Sequence, residues 1–305
     1  MRIVFMGTPE FAVPSLRALA EHHDVVLVVT RPDAVRGRGK KLVPSAVKAV
    51  AQELGLEVLE AAKADAAMVE RVVGLKPDVI CVAAYGALLP DDILLCAPHG
   101  CVNVHASLLP RGRGAAPIQR ALLEGDDRVG VSIMRLVKAM DAGPYCRQGS
   151  LEVEEHTCPT IMSRLAELGA QELVGALEDM EARTAEWIEQ DECLVTYAAK
   201  IEKSEMLLDP ADAALVNRHR VQASLDAAPA RLVVGGRGVR VLDARVVDQD
   251  VDSGAVVVAK RRVFLGCADG ALELLSVKPD GKRQMSASDW SAGLRGNLTW
   301  ERVAR

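Results

Sequence analysis

Aromatic rings are scarce in this chain: three Phe, three Trp and three Tyr make up 3% of its 305 residues. A surface that stacks several single-stranded bases needs more rings than this, so any nucleic acid would have to be held through its backbone and shape. No apolar run reaches the roughly 18 residues of a membrane-spanning helix, which excludes such a span. The start, Arg2-Ile-Val-Phe-Met-Gly7, lacks the apolar core and small-residue cleavage site of a secretory signal. The seven cysteines, at 81, 96, 101, 146, 158, 193 and 267, stand singly. None pairs at metal-ligand spacing, and an odd number argues against a disulfide framework. Most read as small core hydrophobes in a reducing, cytoplasmic protein. The loop after the first strand, Gly7-Thr8-Pro9-Glu10, lacks the second and third glycines of a dinucleotide-binding turn, so no nicotinamide cofactor is expected.

What is present is ample apolar material, 50% of residues, enough for two cores in a chain of this length. The first half alternates strand and helix: strands at 3–5, 25–29 and 78–83, and helices at 10–21, 44–54 and 66–73. Two further strands follow, expected to carry Asn103 and to lead to Asp141, and a long amphipathic helix covers 157–180. The run at 25–29 is continuously apolar, as in buried parallel strands. This pattern predicts an α/β protein whose N-terminal domain is a Rossmann-like, open, mostly parallel sheet. After a charged stretch around 184–209 and a short helix at 210–221, five short β-patterns at 231–234, 239–247, 255–259, 263–267 and 271–277 predict a small C-terminal β-barrel, OB-like. The expected division is a domain at 1–188, a linker at 189–207 and a second domain at 208–305.

The net charge of −5 conceals an asymmetry. Residues 1–199 hold 20 Lys and Arg against 28 Asp and Glu, and residues 200–305 hold 17 against 14, so the two parts stand at −8 and +3. A polyanion would meet the second part more readily. The cations Lys260, Arg261, Arg262, Lys282 and Arg283 fall at turns of the β-rich part, where they either line a groove for RNA backbone or keep a barrel soluble.

The densest chemistry lies in 101–144. A strand places Asn103 and His105 two residues apart and so on one face. The turn Ser107-Leu108-Leu109-Pro110 follows, then a helix over 117–124, a strand over 129–137 and the turn Met140-Asp141-Ala142-Gly143-Pro144. An amide, an imidazole and a carboxylate meeting at strand ends can polarise a carbonyl, move a proton and orient the group that moves it. No metal or covalent nucleophile is needed. The Tyr85-Gly86 turn falls at the same carboxyl ends of the strands, where ligands of open α/β sheets lie.

These residues resemble the active-site segment of the 10-formyltetrahydrofolate-dependent formyltransferases, in which Asn-x-His, Ser-Leu-Leu-Pro and a later Asp-x-Gly occur in this order. The resemblance implies Asn103, His105 and Asp141 as catalytic residues, with Ser107, Leu108, Leu109, Pro110, Tyr85 and Gly86 contacting the folate donor. The basic loop Arg36-Gly37-Arg38-Gly39-Lys40-Lys41 is by itself an ordinary solvated loop. Its pattern is similar to the tRNA-contacting loop of methionyl-tRNA formyltransferases, as is Leu194 to Ile201 to their interdomain stretch. That branch implies Arg36, Arg38, Lys40 and Lys41 as phosphate contacts, initiator methionyl-tRNA as partner and a monomer. Acceptors such as an amino-sugar nucleotide, or water in a formyltetrahydrofolate hydrolase, are the alternatives within the family, and a silent RNA-binding protein is the alternative outside it. The chain departs from the family wording in three places. Gly112 stands where an aromatic is usual, Ala139 and Ala142 replace residues of Gly-Leu-Asp-Thr-Gly, and 223–229 lacks a Pro-Trp-Pro-like element. Arg111 and Arg113 are either phosphate contacts or solvated.

Overall fold

The computed structural model describes residues 1–35, 42–296 and 298–304. The chain divides into two compact units: Met1–Pro117, Arg128–Glu152 and Met162–Ala198 in one, and Ile118–Asp127, Val153–Ile161 and Ala199–Arg305 in the other.

The first unit holds β1 (Arg2–Gly7), β2 (Asp24–Thr30), the two-residue strands β3 (Ala34–Val35) and β4 (Leu42–Val43), β5 (Val58–Glu60), β6 (Val79–Ala83), β7 (Cys101–His105), β8 (Arg113–Gly114), β9 (Arg128–Arg135), β10 (Tyr145–Glu152) and β11 (Tyr197–Ala198). Seven of these form one sheet in the order β10-β9-β7-β6-β1-β2-β5. The five from β7 to β5 run parallel, while β9 and β10 are antiparallel additions at one edge. The chain fills β1, β2 and β5 in one direction and then returns to place β6 on the other side of β1. Strand order therefore reverses between β1 and β6, the position at which such sheets open a ligand crevice.

Helices α1 (Val13–His22), α2 (Ala46–Glu53), α3 (Ala66–Gly74) and α4 (Asp91–Leu94) connect these strands. Ser45 and Asp65 cap α2 and α3 by accepting from the amides of Lys48 and Met68. One face of the sheet presents Val4, Met6, Leu27, Val29, Ile80 and Val82 to Met68, Val72, Tyr85 and Ile93. Strand β10 is not foreseen from the sequence because Tyr-Cys-Arg-Gln-Gly-Ser-Leu-Glu carries little apolar signal. It is an edge strand pairing with β9, and its Arg147 bridges Glu172 and Asp179 of α6 (Cys158–Ala182).

The second unit contains most of α5 (Pro117–Glu124), then α7 (Ala214–Gln222), β12 (Arg231–Val234), β13 (Arg237–Val247), β14 (Ala255–Ala259), β15 (Arg262–Gly266), β16 (Ala271–Pro279), β17 (Met285–Ser286), α8 (Ala287–Ser291) and β18 (Leu298–Glu301). The order β13-β12-β18-β14-β15-β16, with β13 pairing back to β16, closes a six-stranded antiparallel barrel, and β17 adds to its side. The five expected strands are present. The sixth, β18, closes the gap between β12 and β14 and, as Leu-Thr-Trp-Glu, lacks the contiguous apolar run that marks the equally short β12. Leu232, Val241, Val263, Leu272 and Leu274 fill the barrel beside Trp300, whose indole N–H donates to the Gly266 carbonyl (2.9 Å).

Arg262, a candidate RNA contact by sequence, instead forks onto Glu273 through Nε and Nη2 (both 2.6 Å), and Arg245 donates to the same carboxylate (2.8 Å). Arg262 beside Glu273, with Arg245, pulls its carboxyl from 4.5 down to about 2. Because the folded value lies below the unfolded one, the triad stabilises the barrel fully above about pH 4.5 and loses that contribution as pH falls toward 2. Both arginines are about half exposed, which limits the effect to on the order of 1–3 kcal/mol. Glu273→Gln should therefore lower unfolding free energy by that amount at pH 7 in urea titrations, with the gap narrowing steadily below pH 4.5. A gap independent of pH would contradict this account.

Candidate active site

Strand β7 ends at His105, which is 5% exposed, with Asn103 half-buried one pleat earlier. The imidazole Nε2 lies 2.9 Å from the Gly112 carbonyl oxygen. A carbonyl can only accept, so Nε2 carries the proton and Nδ1 is the nitrogen left to take one. Nδ1 faces Asp141 Oδ1 at 3.8 Å. The other carboxylate oxygen, Oδ2, accepts from the Gly114 amide at 2.9 Å. Asp141 is thus oriented by a backbone donor, and its Oδ1 lies within electrostatic reach of the ring.

Asp141 lies in the turn between β9 and β10, six residues beyond the end of β9, and its φ is +50°. This is the turn expected after the strand at 129–137. Pairing of β9 stops at Arg135, whose amide donates to the Pro144 carbonyl and so closes the loop on which the carboxylate sits. Aspartate tolerates the left-handed region better than most residues.

Ser107 Oγ donates to the Arg111 carbonyl (2.7 Å), closing the Ser-Leu-Leu-Pro turn, whose Leu109–Pro110 bond is cis. Buried Ser132 of β9 accepts from the Leu109 amide and donates to the Ser107 carbonyl. Gln148 of β10 donates to the Leu109 carbonyl and to Ser132 Oγ. Leu109 itself is buried, and Leu108 covers Gly130, where an added Cβ would lie 2.4 Å from it. The turn is therefore a rigid ledge. At the reversal between β1 and β6, Thr8 Oγ1 donates to the Tyr85 carbonyl and Arg31 to the Gly86 carbonyl. The Tyr85 ring is buried and its hydroxyl donates to Ala61 O, so this turn offers backbone rather than a phenol.

Gly112 has φ +75°, in the left-handed region where a side chain would be strained. Arg113 meets neither expectation from sequence. It is 3% exposed and bound to Gln190 and Glu192. The loop residues Arg36, Arg38, Lys40 and Lys41 lie outside the described residues. A little further along the chain, Lys48 is clamped between Asp33 (2.8 Å) and Glu60.

Residues 1–177 match the formyl transferase family, and residues 200–295 match the formyl transferase C-terminal domain. The chain belongs to the formyl transferase family. The methionyl-tRNA formyltransferase of Methylococcus capsulatus is 46% identical over 95% of this chain and 96% of its own length. That of Carboxydothermus hydrogenoformans is 38% identical, covering 97% and 96%. A sugar 3N-formyl transferase solved in the presence of dTDP and 5-N-formyl-THF superposes with a TM-score of 0.70 at 11% identity, covering 93% of this chain and 99% of that one, a likeness of fold.

Within this formyl transferase architecture, Arg113 and three residues to which the sequence assigns no role, Ser132, Gln148 and Gln190, hold the site together. Ser132 has a signal, a lone hydroxyl in the apolar run Val129 to Met134 that must find a partner when buried. Gln190 has none, since it lies in charged sequence that reads as linker. Gly143 is also explained, because a Cβ there would sit 1.9 Å from the Arg135 carbonyl oxygen. Gly143→Ala should destabilise the first unit by on the order of 1–3 kcal/mol in urea titrations and slow catalysis as the Asp141 turn shifts. Wild-type stability and rate would show that the turn yields freely.

Proposed function

We propose that this protein transfers the formyl group of 10-formyltetrahydrofolate to the α-amino group of methionine on initiator methionyl-tRNA. The observation that carries the reading is that Nδ1 of His105, two residues after Asn103 on β7, faces an oriented Asp141 carboxylate. The full-length relatives, named for methionyl-tRNA, support the choice of acceptor.

In this reading the amine nitrogen attacks the formyl carbon, and negative charge grows on the formyl oxygen. The Asn103 amide stabilises that charge, a role for which one donor is worth about 10²–10³ in rate. The attacking amine loses its proton to His105 Nδ1, and Asp141 stabilises the imidazolium that results. The bond to folate N10 then breaks, and the proton returns to N10 as that nitrogen leaves. Ser107 to Pro110 and the Tyr85-Gly86 backbone cradle the donor.

Residues 1–188 carry the chemistry and 208–305 meet the tRNA; 189–207 connect them, and the stretch up to Ala198 also belongs to the first unit and supports the Asp141 turn. Arg36, Arg38, Lys40 and Lys41 reach its phosphates. The protein works as a monomer in the cytoplasm.

The reading is tested by offering methionyl-tRNA with a free or an N-acetylated amine in separate reactions with labelled donor. Label should enter only the tRNA whose amine is free. Equal labelling of both, or release of formate alone, would overturn it.

A further inference from the structure

We propose that Gln190 is a positioning residue for the transfer, acting through Asp141; this rests on the role given to Asp141 above. The Gln190 side chain lies in a buried polar relay whose every bond is directional. Its Nε2 donates one hydrogen to the Asp141 carbonyl (2.8 Å) and the other to the Gly143 carbonyl (2.7 Å). Its Oε1 accepts from Arg113 Nε (2.9 Å), so the amide cannot turn over without facing two carbonyls with an acceptor. Arg113 is held in turn by Glu192, with Nη2 to Oε1 at 2.8 Å. Two carbonyls held by one amide orient the Asp141–Ala142 and Gly143–Pro144 peptide planes and keep Asp141 in its left-handed conformation.

Two backbone features bring the relay to the turn. Ile188 and Tyr145 exchange both amide–carbonyl bonds (2.8 and 3.1 Å), which seats Gln190 beside the turn. Strand β8 pairs with β11, Arg113 opposite Tyr197 and Gly114 opposite Ala198. Arg113 and Gly114 thus grip Asp141 at two points: Gly114 takes the carboxylate through its amide, and Arg113 takes the backbone through Gln190. An added Cβ at Gly114 would lie 2.8 Å from the Ala198 carbonyl oxygen, so this approach of backbones requires glycine. The Gln190 amide bonds to Asp141, Gly143 and Arg113 and so acts on the reaction through the Asp141 turn, which makes it a positioning group.

The test is a double-mutant cycle on the full chain. Gln190→Met keeps the length and removes the donors, and Gln190→Ala serves if the methionine variant melts early. In the wild-type background, single-turnover transfer should fall on the order of 10²-fold, as misplacing a reacting group does. Dissociation constants for methionyl-tRNA and the folate donor should stay within about threefold. In the Asp141→Ala background the same substitution should cost less than about threefold, because the group it positions is gone. An equal loss in both backgrounds, or a loss confined to binding, would overturn the proposal. Hydrogen exchange of the Gly114 amide gives a readout independent of turnover. Its N–H is held by the Asp141 carboxylate, and it should exchange about tenfold faster in Gln190→Met. Unchanged exchange would overturn the proposal even if wild type formylated nothing, whereas a wild type without activity but with faster exchange would overturn only the functional reading.

Discussion

His105→Ala, and separately Asp141→Ala, should lower single-turnover formylation of methionyl-tRNA by about 10²–10⁴-fold, the range for a positioned acid–base group. The loss should fall on the chemical step. His105 is buried and bound to the Gly112 carbonyl, and Asp141 is partly buried and bound to the Gly114 amide, so neither is assigned a contact to the RNA backbone. tRNA affinity should therefore remain close to wild type. His105→Ala removes one hydrogen bond, so its melting curve is the control that separates impaired chemistry from impaired structure. Rates within a few-fold of wild type in either variant would remove that residue from the mechanism.

Replacing Arg36, Arg38, Lys40 and Lys41 together by Ala should weaken tRNA binding and flatten its dependence on salt. Each phosphate that is no longer neutralised takes roughly 0.7–0.9 from the log–log slope, so removing all four cations lowers it by about 3. Folate binding should be untouched, because the donor is assigned to the Ser107–Pro110 ledge and the Tyr85-Gly86 turn. A slope equal to wild type would make the loop a solvated one. Loss of folate binding would instead mean that the loop packs on the donor site.

The parts of this protein readable from sequence are those where one strong local rule decides. The parallel strands β1, β2 and β6 announce themselves as unbroken apolar runs because they are buried on both faces. Asn103 and His105 share a face because strand periodicity is two, and the glycine after Asp141 marks a turn. The edge strand β10 and the closing strand β18 are not readable: one is polar and half-solvated, the other a four-residue Leu-Thr-Trp-Glu without a contiguous apolar run. The supports of the site are hidden for a different reason. Gln190 meets Asp141 across 49 residues, and Arg113 meets Gln190 across 77, and such pairings leave no trace in local composition. Arg113 illustrates the limit well. Between glycines in a basic segment it reads as a surface cation, yet it is buried because Gln190 and Glu192, far along the chain, supply its partners.

The central claim is that this site hands a formyl group to methionine carried on tRNA. It is tested most directly by one reaction mixture containing formyl-labelled donor, methionyl-tRNA and an amino-sugar nucleotide in water, followed by separation of the three products. The account predicts label on the tRNA, released after deacylation as N-formylmethionine. Label on the sugar nucleotide, or free formate with unlabelled tRNA, would contradict it.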